Sequence, residues 1–140
     1  MERKATAHWT GGLKEGKGTI SSESGVLENT QYSFKTRFEQ GKGTNPEELI
    51  AAAHAGCFTM ALSGQLEKEG IIADSLITTA SVTFEKSGDG FAIPAIHLTV
   101  KAKITKGDKT LFAQAAENAK RGCPVSKLLN ATITMDASLE

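Results

Sequence analysis

The stretch from Gly43 to Phe58, Gly-Thr-Asn-Pro-Glu-Glu-Leu-Ile-Ala-Ala-Ala-His-Ala-Gly-Cys-Phe, constrains the fold more than any other part of the chain. It opens with helix-start signals. Thr44 or Asn45 suits the cap, Pro46 the first helical position, and Glu47 and Glu48 the positive end of the macrodipole. The sequence then turns small and apolar. The helix reads on to about Glu69, where Lys68-Glu69-Gly70 supplies a polar end and a glycine stop. Roughly 24 residues give a rod of about 36 Å. Leu49, Ile50, Ala53, Cys57, Met60, Ala61 and Leu66 supply apolar positions, while Ala51, Ala52, Ala55, Gly56 and Gly64 leave little bulk elsewhere. Small residues over several turns let other backbones come close, so this helix is expected to be surrounded. A subunit of 140 residues offers too little cover for that, and a dimer would provide it.

The flanking sequence supplies strands and shorter helices. Ala5 to Trp9, Lys17 to Ser22 and Tyr32 to Phe38 read as three strands with Gly-rich connections. In the third, Tyr32, Phe34, Thr36 and Phe38 fall on one face at period two, which places Arg37 on the other face as a solvated side chain. After Gly70, Leu76 to Phe84 alternates, Ser87-Gly88-Asp89-Gly90 signals a turn, and Ile96, Leu98, Val100, Ala102 and Ile104 continue a long hairpin with Pro94 at an edge or bulge. Asp108 caps a helix over Lys109 to Arg121 with an apolar stripe of Leu111, Phe112, Ala115, Ala116 and Ala119. Gly122 ends it, Pro124 restarts a short helix, and Ile133, Met135 and Ala137 mark a closing strand. The expected order is βββ-α-ββ-αα-β, an α+β fold with mainly antiparallel sheets in one domain over residues 1–140.

Composition narrows the function classes. With 16 basic and 16 acidic residues, no basic run and only 6% aromatic residues, nucleic-acid binding has no footprint. The N-terminus lacks the apolar core of a secretory signal, and no stretch reads as long enough to span a bilayer. A cytoplasmic protein is the expectation. Cysteines there are free, catalytic or metal-binding more often than structural staples.

The chemistry-bearing residues are few. Cys57 lies mid-helix and Cys123 at a helix start, too far apart in sequence for a C-x-x-C redox motif or a double C-x-x-C zinc site. Both fit either of two descriptions, a small buried hydrophobe or a reactive thiol. His54 and Cys57 are three apart and share a helix face, which leaves a metal reading open. Helical geometry separates the glutamates: Glu47 stands about 80° from Cys57 around the axis, and Glu48 on the opposite side. Glu47 is also about 15 Å from Cys57 along the axis. If it acts at a thiol, that thiol belongs to another subunit.

The stretches Ala7-His8-Trp9, Lys17-Gly18-Thr19, Ser22 to Leu27, Arg37-Phe38-Glu39, Gly43 to Ala55, Cys57-Phe58 and Gly122-Cys123-Pro124-Val125-Ser126 together resemble the osmotically inducible protein C branch of the organic hydroperoxide resistance superfamily, over essentially the full length. The resemblance implies a thiol-dependent peroxidase linked to oxidative and osmotic stress, which reduces organic hydroperoxides through a Cys57 sulfenate and a Cys57–Cys123 disulfide. It implies Cys57 as the peroxidatic and Cys123 as the resolving cysteine, Arg37 as the stabiliser of thiolate and peroxide, and Glu47 as the acid that orients Arg37. It further implies an intertwined homodimer with sheets wrapped around long central helices, active sites at the subunit interface, and no bound cofactor or metal. The reductant is then an external dithiol of the lipoyl type or a lipoylated protein. Apolar residues near Cys57, such as Phe58 and Met60, would favour organic substrates. A non-enzymatic thiol redox sensor, a ligand-binding module and a zinc protein are the competing readings.

Overall fold

The computed structural model describes residues 1–140. They form two compact units, residues 1–49 and 50–140. The first contains strands β1 (Ala5–Thr10), β2 (Lys17–Ser22) and β3 (Thr30–Tyr32), the short helix α1 (Phe34–Phe38) and the first turn of helix α2 (Pro46–Lys68). The second contains the rest of α2, the hairpin strands β4 (Ser75–Ser87) and β5 (Gly90–Lys103), helices α3 (Lys109–Gly122) and α4 (Pro124–Leu128), and strand β6 (Thr132–Leu139). The fold is α+β, with one three-stranded sheet in each unit.

In the first unit the sheet is an antiparallel meander in the order β1-β2-β3. Gly18 pairs with Trp9 on one side and Tyr32 on the other. A Cβ at Gly18 would lie 2.4 Å from the Tyr32 ring and 2.6 Å from the Trp9 ring, so only glycine lets the two aromatics close over the strand.

The segment expected to continue as a third strand to Phe38 instead turns helical after Tyr32. Ser33 caps α1 through a reciprocal box: its hydroxyl accepts from Thr36 N at 3.3 Å, and Thr36 Oγ1 accepts from Ser33 N at 2.9 Å. The period-two pattern also contains an i, i+4 pair, and the rings of Phe34 and Phe38 stack along the helix at 4.6 Å. Two periodicities fitted the same aromatics, and the capping box decided between them.

α2 has nearly the expected ends. Asn45 Oδ1 accepts from Glu48 N at 2.8 Å, and Gly70 follows in the left-handed region at φ +74°. Its buried stripe is His54, Phe58, Leu62 and Leu66, spaced four apart, whereas Ala53 and Met60 are exposed. The expectation that no stretch is long enough to cross a bilayer is corrected by this helix. Its 23 residues, with mean hydropathy 1.3 over the most apolar window, suffice by length and composition. The physical reason is that alanine raises hydropathy without adding side-chain bulk.

β4 and β5 pair antiparallel around a two-residue turn. The ladder is broken where Phe84 lies opposite Ile93 and Pro94, between the pairs Thr83–Ala95 and Glu85–Ala92. Pro94 therefore sits at a bulge, where its missing N–H costs no ladder bond. The strands pair mainly antiparallel, as expected, and β6 is the exception. It runs parallel to β5, from Ala95 opposite Thr132 to Ala102 opposite Leu139. Parallel neighbours need a crossover, and α3 with α4 provides it. Ile96, Leu98, Val100 and Ala102 on one face of β5 pack with Phe58, Leu62 and Leu66 of α2 and with Phe112, Ala115, Ala116 and Ala119 of α3. Each large apolar side chain buried there contributes about 1.5–3 kcal/mol.

Candidate active site

The four residues singled out in the sequence fall into two pairs, one in each unit. Arg37 and Glu47 form the first. Asn45 joins the N-terminus of α2 to α1, since its Nδ2 donates to Thr36 O at 3.0 Å while its Oδ1 caps α2. Thr44 Oγ1 donates to Glu48 Oε2 at 2.7 Å, which occupies that carboxylate. Glu47, on the neighbouring face, accepts two bonds on Oε1, from Arg37 Nε at 3.1 Å and Nη2 at 3.0 Å. The carboxylate is buried, with its Oε2 unpartnered, and the guanidinium is about 41% exposed. Arg37 Cζ also lies 5.6 Å from the Phe38 ring centroid. Arg37 is exposed, as period two implied, but it lies on a helix and not a strand, and it is paired with Glu47. The switch to helix at Ser33 brings it to Glu47.

Cys57 and Cys123 form the second pair. Cys57 projects from α2, and Cys123 is the residue between α3 and α4, where it caps α4 and its N–H bonds Ala119 O at 2.9 Å. Both thiols are free, Cys123 is wholly buried, and its Sγ donates to Cys57 Sγ at 2.8 Å. Burial pushes the Cys57 thiol above its ordinary value. The hydrogen bond and charge of Cys123 push the same way, and a backbone hydrogen bond from Val125 opposes them. This pair can cross-link with little movement once one sulfur is oxidised. It cannot form a strong nucleophile without help, because peroxide attack requires the thiolate.

Sequence reasoning missed a third pair beside the thiols. His54 is wholly buried and its Nε2 lies 2.7 Å from Ser126 Oγ. Burial holds its imidazole below the ordinary value. The signal was present in the spacing, since His54 stands three before Cys57 and Ser126 three after Cys123. Read alone, His54 suggested a metal ligand, but no group of three or more His, Cys, Asp or Glu side chains is arranged to hold a metal ion. Phe58, expected to shape a substrate pocket, is wholly buried in the core, and Met60 is 79% exposed.

Comparison with known proteins places these features in context. Residues 39–138 match the family model described as OsmC-like protein. The chain is 50% identical over 140 residues to Peroxiredoxin OsmC of Escherichia coli (strain K12), covering 100% of this chain and 98% of that protein. It is 34% identical over 125 residues to the organic hydroperoxide resistance protein OhrB of Bacillus subtilis (strain 168), covering 88% and 89%. Among solved structures, an OsmC-like protein from Vibrio cholerae superposes with a TM-score of 0.78 over 99% of both chains at 14% identity, a likeness of fold alone.

Proposed function

The chain belongs to the OsmC-like protein family, and from that premise we propose that it is a thiol-dependent peroxidase that reduces organic hydroperoxides to alcohols. The observation that carries the reading is the approach of two free thiols, Cys123 Sγ to Cys57 Sγ, at 2.8 Å. In the proposed reaction the Cys57 thiolate attacks the terminal oxygen of the hydroperoxide. The O–O bond breaks, the alkoxide leaves and takes a proton to become the alcohol, and Cys57 becomes a sulfenic acid. Cys123 then displaces water from that sulfur to form the disulfide. An external dithiol of the lipoyl type, free or on a lipoylated protein, restores both thiols by exchange and is itself oxidised to a disulfide.

Arg37 is proposed to hold the thiolate and polarise the peroxide. A guanidinium stays charged at every working pH and offers a planar fork of donors. Glu47 holds that fork through Oε1 and offsets its charge. Residues 1–140 are proposed to act as one peroxidase domain that dimerises, with the active site completed at the subunit interface, in the cytoplasm. The exposed small-residue face of α2 supports a second copy as its cover. A Cβ at Gly56 or Gly64 would meet nothing within 4 Å.

The test is consumption of cumene hydroperoxide against hydrogen peroxide with dihydrolipoamide as reductant, followed by mass spectrometry. The expected outcome is faster turnover of the organic peroxide and a Cys57–Cys123 bond in the oxidised protein. No turnover with an intact fold would leave a redox sensor or ligand-binding module and sink the peroxidase.

A further inference from the structure

α4 is a segment of five residues, none of them fully buried. Only Val125 of α4 packs, partly buried, on the core, and the segment starts just after Cys123, the wholly buried cap whose sulfur must meet Cys57. Polar bonds join the two elements at Cys123, Val125 and Ser126. The first two end on Cys57, whose sulfur changes at every step of the reaction. The third, Ser126 Oγ to His54 Nε2 at 2.7 Å, does not. His54 also interrupts the stripe it shares with Phe58, Leu62 and Leu66, and its Nδ1 is buried without a hydrogen-bond partner. A buried polar atom left unpaired destabilises a fold, and an apolar side chain at this position would avoid that cost. What the imidazole supplies in return is the bond to α4.

We infer that the His54–Ser126 hydrogen bond is a positioning device that holds Cys123 against Cys57 for disulfide formation, an inference that rests on the peroxidase reading above. Two reactions compete for the Cys57 sulfenic acid. In one, Cys123 attacks the sulfur, the S–O bond breaks, water leaves and the disulfide forms. In the other, a second hydroperoxide transfers an oxygen, becomes an alcohol, and leaves Cys57 as the sulfinic acid, which a dithiol does not reverse. A tether independent of the reacting sulfur keeps α4 in place through the cycle and favours the first. His54 and Ser126 are then positioning residues that act through Cys123.

The test compares the native chain with Ser126→Ala, His54→Leu and His54→Gln during turnover of cumene hydroperoxide with dihydrolipoamide. Mass spectrometry reads the ratio of Cys57 sulfinate to Cys57–Cys123 disulfide. Loss of the bond in Ser126→Ala and His54→Leu raises that ratio about three- to tenfold, the range expected for one hydrogen bond. His54→Gln, whose amide nitrogen reaches the Nε2 position, restores the native ratio. Ser126 is small and partly exposed, so its alanine variant reports even if His54→Leu fails to fold. A second measurement needs no peroxide: the equilibrium constant for the disulfide in a glutathione buffer falls by a similar factor in Ser126→Ala and recovers in His54→Gln. A native ratio or native equilibrium constant in Ser126→Ala overturns the inference, as does a failure of His54→Gln to recover. If the native chain consumes no peroxide, the peroxidase reading fails, and the glutathione equilibrium still decides the tether.

Discussion

A cysteine inside an apolar helix is held as a thiol unless something compensates for its burial. Burial is the largest cause that raises Cys57, Cys123 adds to it, and Val125 alone works the other way. The proposed division of labour gives sharp single-residue outcomes. Cys57→Ser abolishes turnover. Cys123→Ser reacts with one equivalent of peroxide to the sulfenic acid, and second and third equivalents then carry Cys57 to sulfinate and sulfonate, as read by intact-mass spectrometry; clean repeated turnover in that variant would remove Cys123 from the resolving role. His54 carries a separate prediction about stability. Burial holds its pKa down, so the unfolded chain takes up a proton near pH 6.5, as free imidazole does, and the folded chain resists it. In that window the unfolded state binds more protons, so stability rises with pH and is lost as pH falls below about 6.5. Thermal unfolding at about pH 7.5 and about pH 5.5 should show a lower midpoint in acid, and His54→Gln should show a smaller drop.

At the scale of elements, the turn between α1 and α2 sets the Arg37–Glu47 pair. Thr44 N donates to Gln31 O at 2.9 Å, and Thr44 bridges Tyr32 in parallel fashion. Gly43 precedes it at φ +133°, with its would-be Cβ only 2.3 Å from Gln31 O. The obstacle is backbone, which has no rotamer to move. Gly43→Ala should therefore cost about 1–3 kcal/mol, measured by urea denaturation. If the pair serves the thiolate as proposed, it should also slow Cys57 oxidation. Native stability in this variant would show that the turn relaxes freely. The neighbouring α1 carries a lesson in reading sequence. Aromatics at 32, 34 and 38 suit both a strand and a helical turn, and the choice rested on Ser33 and Thr36, two small polar residues that cap each other.

For the whole molecule the exposed face of α2 calls for a cover. Only 22% of its apolar window is buried, and Gly56, Met60 and Gly64 lie exposed. A second copy is the proposed cover, and Gly64→Leu tests it. In the single chain a Cβ at Gly64 meets nothing within 4 Å, so the subunit tolerates the change, while an interface packed on small residues does not. Sedimentation equilibrium should show a native dimer and a largely monomeric Gly64→Leu; an unchanged dimer would put the interface on another face. Completion of the site across subunits has its own check. Mixing Arg37→Ala with Cys57→Ser subunits should restore part of the activity from two inactive parents, and persistent inactivity would favour sites within one chain.

The sequence by itself determined most elements and the identity of the thiols. Caps at Asn45 and Asp108, the stop at Gly70, the turn at Gly88-Asp89 and the alternation along β5 are all local, because each fixes backbone or side-chain direction within a few residues. The likeness in the blocks around Cys57 and Cys123 carried the chemistry, which spacing alone left open. Tertiary structure decided the rest. The parallel register of β6 on β5, the stripe of α2 that is buried, and the meeting of Cys57 with Cys123 and of His54 with Ser126 all join residues far apart in the chain. No local pattern encodes such meetings, because they depend on how finished elements pack, and α2 carries small or apolar residues on several sides, so its sequence does not single out the face that is buried.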